Sequence, residues 1–181
     1  MPRWSLAGGG VKPLRAFHGT DDSFTGISGQ LRGTRLAAFR VNLSLCRPNT
    51  DFGQGFYVTT SEHQAKQWAN VRCRSNPAPA TKAIVLEFDI DRDWLASLEA
   101  LAFPRPTSDF WDLVSDCRRG FRPHQRLPPR NVAFDIVYGP VTIWPQTLVI
   151  QDCDQISFHT ARAVRGLQNP RIHSIGTPYI A

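Results

Sequence analysis

The residues able to do chemistry fall mainly in three short stretches: His18-Gly19-Thr20, Phe52-Gly53-Gln54-Gly55-Phe56-Tyr57 and Gln155-Ile156-Ser157-Phe158. Gly53 and Gly55 flank a polar residue and open a tight turn in which bare backbone can approach a ligand. The aromatic and β-branched residues that follow, Phe56 to Thr60, predict a short strand, and Tyr57 on it can turn its ring toward a flat group. Its bland alternative is a strand aromatic packed into the core. Leu14-Arg15-Ala16-Phe17-His18 alternates as a strand does, and Gly19-Thr20-Asp21-Asp22 reads as the turn that stops it. A histidine at a strand end is ordinarily a surface or core residue, but one followed at once by glycine can reach a ligand beside exposed backbone donors. Gln155 opens a late strand behind the acidic break Asp152-Cys153-Asp154, whose carboxylates are either solvated or within reach of the same place.

Other familiar chemistries lack their residues. The chain has no GxGxxG, no Walker loop and no GxSxG. Its five histidines, His18, His63, His124, His159 and His173, show no HExxH or other tight spacing, so no metal site is expected. The four cysteines form no CxxC pair and read as free thiols in a reducing compartment. The net charge of +6 is carried by arginine, since Lys12, Lys66 and Lys82 are the lysines. Arg118, Arg119, Arg122, Arg126 and Arg130 form a dense cluster mixed with Pro123, Pro128 and Pro129, which predicts an irregular loop. Such a loop is either a surface for phosphate or an acidic partner, or a solvated basic face. No apolar run approaches a membrane span, and no basic-then-apolar leader opens the chain. The expectation is therefore no membrane association and a cytoplasmic protein.

These stretches need a scaffold. At 181 residues with 41% hydrophobic content, one domain over residues 13–181 is expected behind a loose tail over residues 1–12. A helix should follow Tyr57, capped by Thr60 or Ser61 with Gln64 completing a capping box, and with Ala65, Trp68 and Ala69 at helical spacing. Ala83 to Ile90 predicts a central strand. Trp94 to Leu101 predicts a short helix ended by Pro104, and Ser108 to Cys117 a second one that buries Phe110, Trp111 and Val114. Arg35 to Leu45 reads as an amphipathic strand, Phe134 to Val141 as a strand closed by Gly139-Pro140, Gln155 to Phe158 as the last strand, and Thr160 to Leu167 as a short helix or turn. Strands and helices mix without a βαβ rhythm, which predicts α+β with mainly antiparallel sheets.

In order and separation the motifs resemble those of the ADP-ribosyltransferase superfamily, in the branch with a histidine, tyrosine and glutamate triad that includes the diphtheria-toxin-like and poly(ADP-ribose)-polymerase-like enzymes. His18-Gly19-Thr20 is similar to that branch's His-Gly-Ser/Thr. Phe52 to Tyr57 followed by Ser61 to Ala69 is similar to its glycine, aromatic and SxxA block. Gln155-Ile156-Ser157-Phe158 takes the place of the glutamate strand. Asp51 to Ala69, Phe134 to Val141 and Gln155 to Leu167 also resemble an uncharacterised bacterial family usually assigned to this superfamily.

The resemblance implies two mainly antiparallel sheets packed around an NAD-binding cleft, with flanking short helices. It implies that His18 bonds a ribose hydroxyl, that Gly19 backbone holds the carboxamide, and that Tyr57 stacks on nicotinamide. Thr20, Phe52, Gly53, Gly55 and Phe56 would line the same NAD site, with His18, Tyr57 and Gln155 as the catalytic set. The implied activity is an NAD-dependent mono-ADP-ribosyltransferase, a bacterial toxin or effector that modifies a protein or nucleic acid, has an antitoxin or immunity protein as partner, and, where it is not kept in the cytoplasm, is delivered into a target-cell cytoplasm without an N-terminal signal peptide. An NAD glycohydrolase on the same site, or an inactive module that binds nucleic acid or an acidic partner, are the alternatives. Gln155 departs from the family's glutamate: an amide orients hydroxyls but brings no negative charge to a developing cation.

Overall fold

The computed structural model describes residues 12–24, 32–75, 81–121 and 134–176. The expected tail, Lys12 excepted, lies outside the described residues, as do Arg122, Arg126 and Arg130 of the arginine loop. In chain order the elements are β1 (Leu14–Asp21), β2 (Phe56–Val58), α1 (Glu62–Ser75), β3 (Ala83–Ile90), α2 (Arg92–Ser97), β4 (Ala100–Ala102), α3 (Ser108–Arg118), β5 (Ile136–Thr142), β6 (Val149–Phe158), α4 (Ala161–Val164) and β7 (Leu167–Gly176). The class is α+β, with one sheet in the order β1-β3-β7 and another in the order β2-β6-β5-β4. Pairing is antiparallel in β1-β3-β7 and between β5 and β6, while β4 runs parallel to β5. The chain divides into two compact units, Met1–Arg40 with Val58–Asp93 and Leu167–Ala181, and Val41–Tyr57 with Trp94–Gly166.

In the first unit β3 is the central strand, as its apolar run predicts, and seven of its eight residues are buried. Helix α1 packs on this sheet through Ala65, Ala69 and Cys73, which meet Phe17, Ala83 and Val85. Trp68, expected on that buried face, is instead exposed, because the helix follows a narrow stripe of small residues at i, i+4 and i+8. The stripe has to be small because a Cβ at Gly19 would lie 2.1 Å from the Ala65 carbonyl oxygen and 2.7 Å from the Ala69 nitrogen. The capping box forms only in part. Ser61 Oγ accepts the Gln64 N–H at 3.2 Å, but the Gln64 side chain accepts from Thr59 Oγ1, which itself accepts the Ser61 N–H.

On the same sheet Glu87 is buried and takes hydrogen bonds from Arg15, Arg171 and His173. Burial pushes Glu87 up, but these three donors outweigh it and hold the carboxyl down to about 2, from an ordinary 4.5. A carboxyl depressed on folding stabilises the fold above about 4.5 and loses that contribution as pH falls toward 2.

In the second unit α3 starts at the N-cap Thr107, whose side chain accepts the Phe110 N–H. It buries Phe110, Leu113, Val114 and Cys117 against Phe52 and Val137, while Trp111 packs at the margin of this cluster. Each such side chain contributes roughly 1.5–3 kcal/mol of transfer free energy. Asp135, buried before β5, accepts from the Glu99 N–H, Thr160 Oγ1 and Arg162, and so ties the starts of β4 and α4 to the sheet.

Several expectations fail for local reasons. Strand β1 does not stop at His18 but continues to Asp21, because Gly19, Thr20 and Asp21 pair with Val85, Ile84 and Ala83. Arg35 to Leu45 is not a strand: it holds an isolated bridge at Arg35 and a 3-10 turn, Leu43–Leu45, capped by Asn42. Gly139-Pro140 lies inside β5, where Gly139 pairs with Gln155. The acidic break is part of β6, accommodated by a positive φ of 55° at Asp152. Leu101 belongs to β4 rather than to the helix before it. The last strand is β7, which the sequence reading missed because its polar, proline-containing run, LQNPRIHSIG, lacks strict alternation.

Two measurements check this packing. Gly19→Ala should destabilise the protein by about 2 kcal/mol or more in denaturant unfolding, since its new methyl meets helix backbone. Glu87→Gln should lower stability at pH 7 by on the order of 2 kcal/mol, and the gap to wild type should close as pH falls through the window from 4.5 to 2; a gap that stays constant with pH would contradict the assigned role.

Candidate functional site

In the second unit the glycine turn and its tyrosine are organised from below. Asp51 is buried, and its Oδ1 accepts from Arg118 Nε at 2.8 Å, Arg118 Nη2 at 2.5 Å and Thr142 Oγ1 at 2.7 Å. Its Oδ2 accepts from the Thr142 N–H at 3.2 Å and from Gln155 Nε2 at 2.6 Å. The guanidinium fork comes from the last turn of α3, where a cation also suits the helix dipole. One carboxylate therefore fixes the chain just before Phe52, the end of α3, β5 and β6.

Tyr57 is fastened at its polar end. Its hydroxyl donates to the Gly53 carbonyl at 2.8 Å and accepts from the Phe52 N–H at 2.9 Å, with Thr50 Oγ1 2.8 Å away. Burial pushes this hydroxyl far above its ordinary value, against the opposing hydrogen bonds from Thr50 and Phe52, so the phenol stays neutral. The ring stacks on Phe52 with centroids 6.2 Å apart and planes 18° apart, and the residue as a whole is half-buried. Gly53 adopts φ 78°, the left-handed region in which a Cβ is strained.

Gly55 has a different reason to be glycine. A Cβ there would sit 2.8 Å from the His159 ring. His159 Nδ1 lies 2.8 Å from the Gln54 carbonyl oxygen, which can only accept, so Nδ1 carries a proton; Nε2 lies 2.7 Å from Ser157 Oγ, which also reaches the Val137 carbonyl at 3.2 Å. The serine-histidine arrangement has the reach of a nucleophile and base, but Ser157 is 0% exposed and meets no solvent. The pair is a strut that joins β6 to the glycine turn. The i, i+2 spacing of Ser157 near the end of β6 and His159 just past it was the available signal for it.

Strand order makes β2 and β6 neighbours, so Tyr57 and Gln155 lie on adjacent strands. Gln155 is buried, and its Nε2 bonds both Asp51 and the Pro140 carbonyl, the latter at 3.0 Å. Asp154 pairs in register with Pro140, and Asp152 is exposed at the kink of β6. Phe52 is fully buried as a core residue, and Phe56 is buried too. In the first unit His18 lies mid-strand and half-buried opposite Leu86, on the face of β1 opposite to Phe17 and Gly19 and therefore away from α1. Thr20 is buried on the same face as His18. Asp51 and Arg118 are the residues that sequence reasoning missed, since their pairing spans 67 positions and leaves no local pattern. No group of acids, histidines and cysteines able to hold a metal ion occurs among the described residues.

Residues 32–148 match a family described as a protein of unknown function, DUF3990. The matched span contains Asp51, Tyr57, Arg118 and Thr142 and ends just before β6. No curated protein matches the chain.

Tyr57→Phe removes the group on which the 50–57 turn closes. It should cost about 1–3 kcal/mol in unfolding free energy and speed hydrogen exchange at the Phe52 amide, whose acceptor it deletes.

Proposed function

The chain belongs to the DUF3990 family, and we propose that it acts as an NAD-dependent mono-ADP-ribosyltransferase. The observation that carries this reading is Tyr57: a half-buried ring on a three-residue strand, immobilised through its hydroxyl and backed by Phe52, on the strand next to Gln155. A ring held this way loses little freedom when a planar pyridinium stacks on it. Its phenol is neutral and internally bonded, so its part is stacking rather than proton transfer.

In this reading Tyr57 stacks on the nicotinamide and Gln155, in the same unit, orients ribose hydroxyls. The bond between nicotinamide and ribose breaks with its electron pair leaving on the nicotinamide nitrogen, which becomes neutral. The acceptor's nucleophile forms the new bond to the ribose carbon and releases its proton. The state between is oxocarbenium-like, so holding ring and ribose in place is most of what the protein has to supply. The basic charge favours an acceptor that is acidic or carries phosphate.

Purified protein incubated with NAD, with and without a cell lysate, should release nicotinamide and leave ADP-ribose on a macromolecule. Tyr57→Ala should lower the rate by on the order of 100-fold. Release at full rate without lysate would replace transfer by hydrolysis, and no release from folded protein in either arm would overturn the reading.

A further inference from the structure

Gln155 looks like a degenerate version of a glutamate, yet its surroundings admit no ionised glutamate beside Asp51. An amide nitrogen has two protons, and at Gln155 both are taken: one by Asp51 Oδ2 at 2.6 Å and one by the Pro140 carbonyl at 3.0 Å. Both partners are pure acceptors, so the amide cannot be turned around. The carbonyl oxygen Oε1 is left on the other side, and no described residue donates to it. Replacing the amide nitrogen by a carboxylate oxygen would set two acidic oxygens 2.6 Å apart in a buried place. Two carboxylates so close cannot both ionise, and Arg118 is already committed to the other oxygen of Asp51.

We propose that Asp51 is the positioning residue of the site: by holding both the amide and its orientation, it makes Gln155 a fixed hydrogen-bond acceptor for a ligand hydroxyl. The glutamine is then the residue that matches Asp51, and Oε1 does what one carboxylate oxygen would do toward a hydroxyl donor. Asp51 itself need not touch the ligand. The charge that a glutamate would carry sits one hydrogen bond further back, on Asp51, and is shared with Arg118. Thr142 holds the same carboxylate from β5 through its hydroxyl and its N–H, so Asp51 has no freedom to turn away from Gln155. The role assigned to Oε1 rests on the NAD reading above; the pairing of positions 51 and 155 does not.

The test is a reciprocal exchange in the full chain: Gln155→Glu, Asp51→Asn and the double variant Asp51→Asn/Gln155→Glu. In the double variant the new amide at position 51 keeps an acceptor oxygen for Arg118 and the Thr142 hydroxyl and offers its nitrogen to the new carboxylate at position 155, while the Thr142 N–H and the Pro140 carbonyl lose their partners, so the recovery is partial. Nicotinamide release from NAD should fall on the order of tenfold or more in each single variant and recover at least about threefold of that loss in the double, with the recovery in kcat rather than in KM. A structural hub with no positioning role would instead make the double variant worse than either single, and that result overturns the proposal. The midpoint of denaturant unfolding is followed in parallel. If wild type releases no nicotinamide with or without lysate, the NAD reading fails, and the pairing is judged on stability alone. Recovery of the midpoint in the double variant then upholds it, and additive losses overturn it.

Discussion

In the second unit a single buried carboxylate, that of Asp51, draws donors from residues 67, 91 and 104 positions away in the chain. A buried anion is tolerated only where it is paired and hydrogen-bonded. Arg118 supplies the charge, and Thr142 and Gln155 supply the remaining donors, so the carboxylate is compensated only when α3, β5 and β6 are all in place. Everything local to Tyr57 follows from that. The chain leaves Asp51 in one direction, Phe52 is driven into the core beside Phe110, and the tyrosine hydroxyl closes the turn on Gly53. The glycine turn is rigid because it is tied at both ends, by the Asp51 cluster and by the His159 strut.

The first unit solves its packing in a different way. There the constraint is backbone against backbone, with Gly19 under the Ala65 to Ala69 turn of α1. Close approach of this kind leaves no room for adjustment, and it fixes the register of β1 by geometry as well as by its eight pairs with β3. His18 inherits that precision. It alternates to the face away from α1 because Phe17 and Gly19 are both required on the near one.

Much of the α+β character was legible because it rests on local pattern. The apolar run of β3, the capped helix after Tyr57 and the aromatic stripe of α3 all appear where composition and capping residues put them. What was not legible depends on partners far away in sequence. Asp51 reads as an ordinary turn residue until Arg118 and Gln155 are beside it. Gly19 reads as a turn glycine because helix packing against a strand leaves the same residue as a turn does. The strands β6 and β7 were shortened or missed because the acids at 152 and 154 and the proline at 170 oppose strand propensity, and only cross-strand pairing with β5 and β3 overrides it. Among the functional residues, types were visible and relations were not.

The four-stranded sheet ends on both sides in strands of three residues, β2 and β4. An outer strand so short exposes little unpaired backbone, and a foreign chain gains little by adding to it. The strand that holds Tyr57 is therefore a poor template for edge-to-edge association, even though it is aromatic and β-branched and lies at a sheet margin. Brevity lets the protein keep a reactive-looking aromatic strand at its border without making that border adhesive.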